Sequence, residues 1–183
     1  LYFEDPAFSC YFDKLNGFEK REKYRIRFYN SDLSYIRLEK KSKCGKMCMK
    51  DHTVILPEDA ECLLSQDPIT NGDELYSQFC RKIRYESFRP LLFVDYERSA
   101  FLHPVGNVRI TLDENITASS FASSLCDDRS PIPVLESGTS VLEVKYDDYF
   151  PPYLSRLLED IPKVSASISK YCLCARALYE RKE

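Results

Sequence analysis

Several residue types are scarce in this 183-residue chain, and their scarcity limits what it can be. Tryptophan is absent, and there are only two histidines and five glycines. So few glycines exclude collagen and glycine-rich low-complexity sequence, and two histidines leave little for a Cys/His zinc site. No apolar run approaches the roughly 18 residues that cross a bilayer, and no basic-then-apolar leader predicts a signal peptide.

Cysteine, in contrast, is abundant, with eight residues. A secreted disulfide scaffold is usually smaller and richer in glycine. The pairs Cys44/Cys48 and Cys172/Cys174 do not have the CxxC spacing of a zinc site. We therefore predict reduced, mostly buried thiols and a cytoplasmic location, including the cytosolic face of a membrane complex.

The net charge of −3 conceals a basic block over residues 20–50. That block holds eleven basic residues against the three acids Glu22, Asp32 and Glu39. The basic residues are Lys20, Arg21, Lys23, Arg25, Arg27, Arg37, Lys40, Lys41, Lys43, Lys46 and Lys50. A basic block inside an acidic chain indicates a local anionic ligand rather than general affinity for nucleic acid.

Turn signals and hydrophobic periodicity predict an α+β fold. Residues 117–130 are rich in serine and predict a surface excursion, and the stretch around Cys48 is poorly patterned. Strands are predicted at Lys23–Tyr29 and Ser34–Lys43, which form a hairpin, and at Leu91–Phe101, Asn107–Leu112 and Val141–Tyr146. A short segment is predicted at Ala7–Leu15. Helices are predicted after Pro57, at Asp73–Glu86, from Pro151 to Ile161 and from Ser169 to Lys182.

Charged and apolar residues alternate along all five predicted strands, so that each strand has one charged face. The opposite faces are apolar, as with Ile26 and Phe28 beside Arg25 and Arg27. The charged or polar faces carry Arg25, Arg27, Arg37, Glu39, Lys41, Lys43, Tyr96, Arg98, Arg109, Thr111, Asp113, Glu143 and Lys145.

Two architectures explain this alternation. On a single strand it usually means a sheet with its charged face in water. Five such strands favour a closed antiparallel barrel of about eight strands, with helices packed around the outside and the charges in the lumen. Unpaired like charges in a lumen cost several kcal/mol each, so its natural occupant is a linear polyanion such as a chain of phosphates, which arginine binds bidentately. Carboxylates among the bases can hold Mg²⁺ or Mn²⁺.

The ordered set of these segments resembles a known family, the VTC domain, over nearly the whole chain. VTC domains are the polyphosphate polymerase domains of the vacuolar transporter chaperone complex and its bacterial relatives, within the CYTH-like triphosphate tunnel metalloenzymes. The segments that carry the resemblance are Leu1-Tyr2-Phe3-Glu4-Asp5, Lys23–Tyr29, Leu38-Glu39-Lys40-Lys41, Tyr96–Phe101, Val108–Asp113, Leu142-Glu143-Val144-Lys145 and Ser169-Lys170-Tyr171.

The resemblance implies synthesis of linear polyphosphate from ATP with a divalent metal. It implies a metal site at Glu143, assisted by Glu39 or Asp113, and a hydrogen bond from Tyr96 to a phosphate oxygen. Phosphate contacts at one tunnel mouth are implied for Ser169 and Lys170. The other residues implied to bind triphosphate or product are Arg25, Arg27, Lys41, Lys43, Lys50, Arg98, Arg109 and Lys145.

Relatives begin with a further strand that places a basic residue in the tunnel, whereas this chain starts after it. We therefore expect residues 1–183 to be one N-terminally truncated domain, with membrane association only through segments that it does not contain.

Other interpretations stay open. A hydrolase of tripolyphosphate or nucleoside triphosphates, or a non-catalytic polyphosphate-binding module, fits the same cations. Glu143 and Lys145 can also form a simple exposed pair worth under about 1 kcal/mol, Tyr96 can pack under the sheet, and Lys170 can be a solvated helix residue. We expect no nucleic-acid partner, because no RNA-binding signature is present.

Overall fold

The computed structural model describes residues 1–68 and 73–180. They form an eight-stranded antiparallel sheet with five α-helices, which confirms the predicted α+β class. The strands are β1 (Tyr2–Glu4), β2 (Lys20–Tyr29), β3 (Asp32–Cys44), β4 (Met47–Ile55), β5 (Arg89–His103), β6 (Val108–Ser120), β7 (Ile132–Pro133) and β8 (Val141–Lys145). The helices are α1 (Ser9–Leu15), α2 (Pro57–Leu64), α3 (Glu74–Glu86), α4 (Pro152–Glu159) and α5 (Lys170–Tyr179). The end of the last predicted helix, at Lys182, lies outside the described residues.

The sheet is open along one seam. Hydrogen bonds link the strands in the order β4-β3-β2-β1-β5-β6, and β6 pairs with both β7 and β8. Within residues 1–68 and 73–180, no backbone pairing joins β4 to β7 or β8, so the predicted closed barrel is not confirmed. Lys50 of β4 and Lys145 of β8 line one cavity. The two edges therefore meet across cationic side chains instead of backbone hydrogen bonds.

The predicted basic hairpin is confirmed and is longer at both ends. Strands β2 and β3 pair from Lys20 opposite Cys44 to Tyr29 opposite Asp32. The turn places Asn30 at φ 52° and Ser31 at φ 57°, a left-handed conformation that asparagine tolerates better than most residues. The turn fixes the register, and the register decides which charges face one another.

Two parts of the sequence interpretation need correction. No element was predicted where β4 lies, because most of its residues are exposed and no apolar alternation marks the strand. The predicted excursion over residues 117–130 begins too early, since β6 continues to Ser120 and buries Ala118 and Ser119. Side-chain alternation ends near Asn115, whose φ of 51° interrupts the regular pleat.

The apolar face of the first strands packs on helix α3. Tyr24 of β2 stacks on Phe79 of α3 with ring centroids 4.7 Å apart, and Phe3 meets the same ring edge-on at 4.8 Å. Asp73 begins the helix by accepting a hydrogen bond from the Tyr76 backbone N–H at 2.9 Å. Each such buried aromatic or aliphatic side chain stabilises the fold by about 1.5–3 kcal/mol. This packing leaves the opposite, charged face of the sheet free of α3.

A buried carboxylate ties helices α1 and α5 to strand β1. Glu4 accepts hydrogen bonds from the backbone N–H groups of Cys10 (2.9 Å) and Tyr11 (3.1 Å). It also accepts one from the Tyr171 hydroxyl of α5. Burial, and then the neighbouring Glu4, raises the pKa of Tyr171 far above its usual value. The start of α5 is thereby fixed at one end of the charged face.

All eight cysteines are free thiols, but only three are buried and three are exposed. The prediction that most thiols are buried is therefore wrong. Cys44 and Cys48 flank the turn between β3 and β4, at a projecting end of the sheet. No helix in the described part of the chain is long and apolar enough to cross a membrane.

Candidate functional site

Strand register brings the predicted basic residues together in rows across one face of the sheet. Lys23 of β2 lies opposite Lys41 of β3, which lies opposite Lys50 of β4. Arg27 lies opposite Arg37 in the same hairpin. Like charges directly opposite one another destabilise a sheet. Arg37 finds a counter-charge in Glu39 of its own strand, whereas no carboxylate of the described residues lies within 4 Å of Lys23, Lys41 or Lys50.

The same pattern occurs on the far side of the seam. Arg109 of β6 lies opposite Lys145 of β8, and Thr111 lies opposite Glu143. Together with β2, β4 and β5, these strands enclose a small cavity of about 100 Å³. It is lined by five cations, one carboxylate and one hydroxyl: Arg27, Lys50, Arg98, Arg109, Lys145, Glu143 and Thr111. We call this cavity the basic groove.

Lys50 of β4 lies close enough to the opposite edge of the seam for Lys145 to affect its pKa. Burial, and then repulsion from Lys145 and Lys41, lowers its pKa. Both effects disfavour the charged amine, and no carboxylate within 4 Å among the described residues compensates for them. A bound anion would supply that compensation.

Arg27 is oriented by aromatic residues. Its guanidinium lies 4.7 Å from the Tyr29 ring, and its Nη2 is 3.5 Å from the Tyr96 hydroxyl oxygen. Tyr96 lies at a β-bulge between Asp95 and Glu97, and its side chain packs partly against the hydrophobic core beside the groove. Among the described residues, no carboxylate lies within 4 Å of Arg27. Its guanidinium group is therefore positioned without being neutralised.

Arg98 has a different environment, because a buried carboxylate holds it. Its Nε and Nη2 donate to the two oxygens of Asp113 at 2.5 and 2.7 Å, and Lys170 forms an ion pair with the same carboxylate. Asp113 is 0% exposed. Burial alone would raise the pKa of Asp113, but Arg98 and Lys170 outweigh it and lower that pKa. Both carboxylate oxygens are therefore engaged by cations.

Arg25 and Glu39 form a second such pair. The Arg25 guanidinium donates to Glu39 Oε2 at 2.5 and 2.8 Å and to the Tyr2 hydroxyl at 2.9 Å. Arg37 lies 3.4 Å from the other Glu39 oxygen and donates to the Tyr29 hydroxyl at 2.8 Å. Burial disfavours the charge of Arg25, but Tyr2 and Glu39 prevail and raise its pKa. This pair is adjacent to the groove and does not line it.

Glu143 is the carboxylate that lines the basic groove. It is half-exposed, lines the groove, and makes a single ion pair with Lys145 at 2.9 Å. Burial opposes its charge, but Lys145 holds the pKa of Glu143 below its usual value, so it is ionised at neutral pH. No group of three or more His, Cys, Asp or Glu side chains capable of holding a metal occurs in the described residues. The donor set fits a hard cation that takes one carboxylate from the protein and its other oxygens from phosphate.

The remaining predicted residues lie outside the groove lining. Lys41 and Lys43 lie along β3 toward its end, and Lys43 faces Arg21 and Cys48. Ser169 begins α5 by accepting a hydrogen bond from the Cys172 backbone N–H at 3.4 Å. Its position thus has a local structural reason, and its phosphate contact stays a prediction. The metal roles of Glu39 and Asp113 stay predictions as well.

Two residues of this face were not assigned a role from the sequence. Lys23 lies 4.4 Å from the centre of the Tyr171 ring and 3.3 Å from Ser169 Oγ, and burial lowers its pKa. Thr111 is 3% exposed and lines the groove. The sequence signal that could have identified Thr111 was its position between Arg109 and Asp113 on the charged face of the strand.

A larger concavity of about 300 Å³ lies between β2, β3 and α3, and its charges are balanced. Lys40 pairs with Glu22 at 3.0 Å, and Lys82 pairs with Glu86 at 2.7 Å. Partly exposed pairs of opposite charge such as these are typical of a protein surface without a charged ligand. Size alone therefore does not identify the site, whereas uncompensated charge favours the smaller groove.

Comparison with known families agrees with the features of this face. The family described as VTC domain matches residues 1–179. No curated protein matches the chain. A polyphosphate-related function is consistent with the family and with the charge of the groove. Because the match spans nearly the whole sequence, this chain belongs to the VTC domain family.

Proposed function

We propose that this protein is a metal-dependent polyphosphate polymerase, which transfers the γ-phosphate of ATP to the end of a growing polyphosphate chain. The observation that carries this proposal is the composition of the basic groove, in which five cations surround a single carboxylate. A folded protein tolerates such an excess of positive charge when a ligand of opposite charge completes it. A phosphate chain has that charge and is narrow enough for a cleft of about 100 Å³.

The reaction needs positioning and charge neutralisation more than covalent chemistry from the protein. A terminal oxygen of the polyphosphate chain attacks the γ-phosphorus of ATP, and the bond between that phosphorus and the β–γ bridging oxygen breaks. The electron pair leaves with ADP. Arg27, Arg109 and Lys50 are the cations best placed to stabilise the equatorial oxygens, since they line the groove without a carboxylate partner among the described residues.

Two supporting groups orient this set. Tyr96 holds Arg27 through its hydroxyl oxygen, and its ring lies 5.1 Å from the guanidinium carbon of Arg98. Asp113 fixes the plane of the Arg98 guanidinium by two parallel bonds and leaves its remaining N–H groups for phosphate. Glu143 would hold Mg²⁺ or Mn²⁺. When bound, the metal would neutralise charge between phosphate oxygens.

The proposal is tested by incubating the protein with ATP and Mn²⁺ and recording ³¹P NMR spectra over time, with Glu143→Gln beside the parent. We expect ADP together with a growing resonance of internal chain phosphates, and loss of both in the variant. Orthophosphate and ADP without internal chain phosphates would establish the hydrolase instead. Absence of turnover with retained ATP binding would establish a polyphosphate-binding module.

A binding measurement separates the groove from general electrostatics. Arg109→Ala is preferable to Arg98→Ala, because Arg98 neutralises the buried Asp113 and its loss would disturb folding. Loss of a charge-assisted contact worth about 1.5–3 kcal/mol predicts at least a ten-fold loss of tripolyphosphate affinity. Arg81→Ala is the matched control, since Arg81 is an exposed arginine on α3 that pairs with Glu74. Equal affinity of both variants and the parent would contradict the proposal.

A further inference from the structure

Thr111 has a buried hydroxyl without a hydrogen-bond partner. Its side chain is 3% exposed, and within the described residues no protein group accepts from or donates to its Oγ1. Buried hydroxyls in native proteins are nearly always hydrogen-bonded, because leaving one unpaired costs desolvation energy. This residue is therefore an exception that needs an explanation.

Thr111 has two neighbours across the sheet, and its hydroxyl is bonded to neither. On one side it lies opposite Ala100 of β5, whose methyl group has no polar atom. On the other side it lies opposite Glu143 of β8, whose carboxylate binds Lys145 at 2.9 Å. The Thr111 hydroxyl makes no hydrogen bond to either neighbouring strand, and it lines the groove.

We propose that Thr111 is a phosphate-binding residue, whose hydroxyl donates a hydrogen bond to a non-bridging oxygen of the phosphate chain in the basic groove. This inference rests on the proposed function, because it uses the same groove. Arg109 lies two residues before Thr111 on β6, and Arg98 lies on the neighbouring strand β5; both line the groove with Thr111. They draw phosphate oxygens toward its hydroxyl, and an anionic oxygen accepts a hydroxyl proton strongly.

The chain contains a matched control for this hydroxyl. Ser119 lies on the same strand, is 2% exposed, and also has no hydrogen-bond partner for its Oγ among the described residues. It pairs with Phe93 in the apolar part of the sheet and does not line the groove. Removal of either hydroxyl deletes a buried unpaired group, but only one of the two faces the groove.

The experiment measures binding of inorganic tripolyphosphate by isothermal titration calorimetry, with thermal unfolding of each variant. Thr111→Val keeps the side-chain shape and should weaken binding about ten-fold, the loss expected for one hydrogen bond to a charged group. Thr111→Ser keeps the hydroxyl and should bind as the parent does. Ser119→Ala should also bind as the parent does. The Tm of Thr111→Val should equal or exceed that of the parent, because an unpaired polar group is removed.

Each result has a distinct meaning. Weaker binding by Thr111→Val alone, with an undiminished Tm, supports the inference. Equal affinity of Thr111→Val and the parent overturns the inference and leaves the proposed function intact. Equal weakening by Ser119→Ala overturns it too, since loosening of β6 would then explain the loss. A parent protein that does not bind tripolyphosphate overturns both.

Discussion

The charged face of the sheet has two regions that differ in how their cations are compensated. In the paired region, Arg25 meets Glu39, and Arg98 and Lys170 share Asp113. In the unpaired region, Lys50 and Arg109 line the groove, with no carboxylate within 4 Å of either among the residues described. Both regions derive from the same alternation of charged and apolar residues.

This difference separates residues that maintain the fold from residues that are available for a ligand. A cation that already binds a buried carboxylate contributes to the fold and has fewer donors left for phosphate. A cation that faces another cation across a strand pair lowers stability until an anion binds. Such a trade of stability for binding is typical of functional sites. The comparison therefore ranks the basic residues by their availability for a ligand, which their residue types alone do not reveal.

The largest expected effect comes from breaking the paired region at Asp113. Asp113→Asn leaves Arg98 and Lys170 without a counter-charge, and removal of one partner from a buried ion pair costs about 3 kcal/mol or more. We expect this loss in the free energy of unfolding, measured by urea denaturation. Glu143→Gln is the control, because its pair with Lys145 is half-exposed and is worth at most about 1 kcal/mol. Similar losses in both variants would contradict the division into two regions.

Sequence alternation predicted the charged face well, but it could not predict the pairing on it. Arg109, Thr111 and Asp113 share one face of β6 as expected. The partner of Asp113 from α5, Lys170, comes from a helix 57 residues later in the chain. Only the docking of that helix, fixed by Glu4 and Tyr171, brings the two groups together. An isolated strand pattern contains no such information.

The strand that completes the groove was missed for a related reason. Sequence reasoning finds strands by one apolar face, whereas β4 is exposed over most of its length and contributes Lys50 to the groove. The closed barrel was predicted from the charged faces and from the resemblance to the VTC domain. In the structure, Lys50 of β4 and Lys145 of β8 line the same cavity, and no backbone pairing joins these two strands among the described residues. Strand faces are local properties, but closure depends on how distant edges meet.

A smaller effect is expected from pH. The pKa of Asp113 is lowered in the folded protein by Arg98 and Lys170. Its contribution to stability is therefore present above the unfolded value of about 3.9 and is lost as pH falls through the folded value. The difference in unfolding free energy between the parent and Asp113→Asn should narrow as the pH falls below about 4. Urea unfolding of both proteins at pH 7, 5, 4 and 3 measures this difference in unfolding free energy. A difference that is constant over this pH range would mean that the charge of Asp113 is not the source of the difference.

The smallest effect tests the unpaired region, where removing a charge should stabilise the protein. Lys41 lies between Lys23 and Lys50 in one cross-strand row, and like charges in such positions cost a few tenths of a kcal/mol. Lys41→Gln should therefore raise the free energy of unfolding by about that amount at low salt, and the gain should shrink in 0.5 M NaCl because salt screens the repulsion. Lys163→Gln is the control, because Lys163 is exposed and donates to the backbone carbonyls of Leu158, Glu159 and Ile161 instead of facing other cations. A destabilised Lys41→Gln would show that this lysine belongs with the paired residues, and the boundary between the two regions would then lie between Lys41 and Lys50.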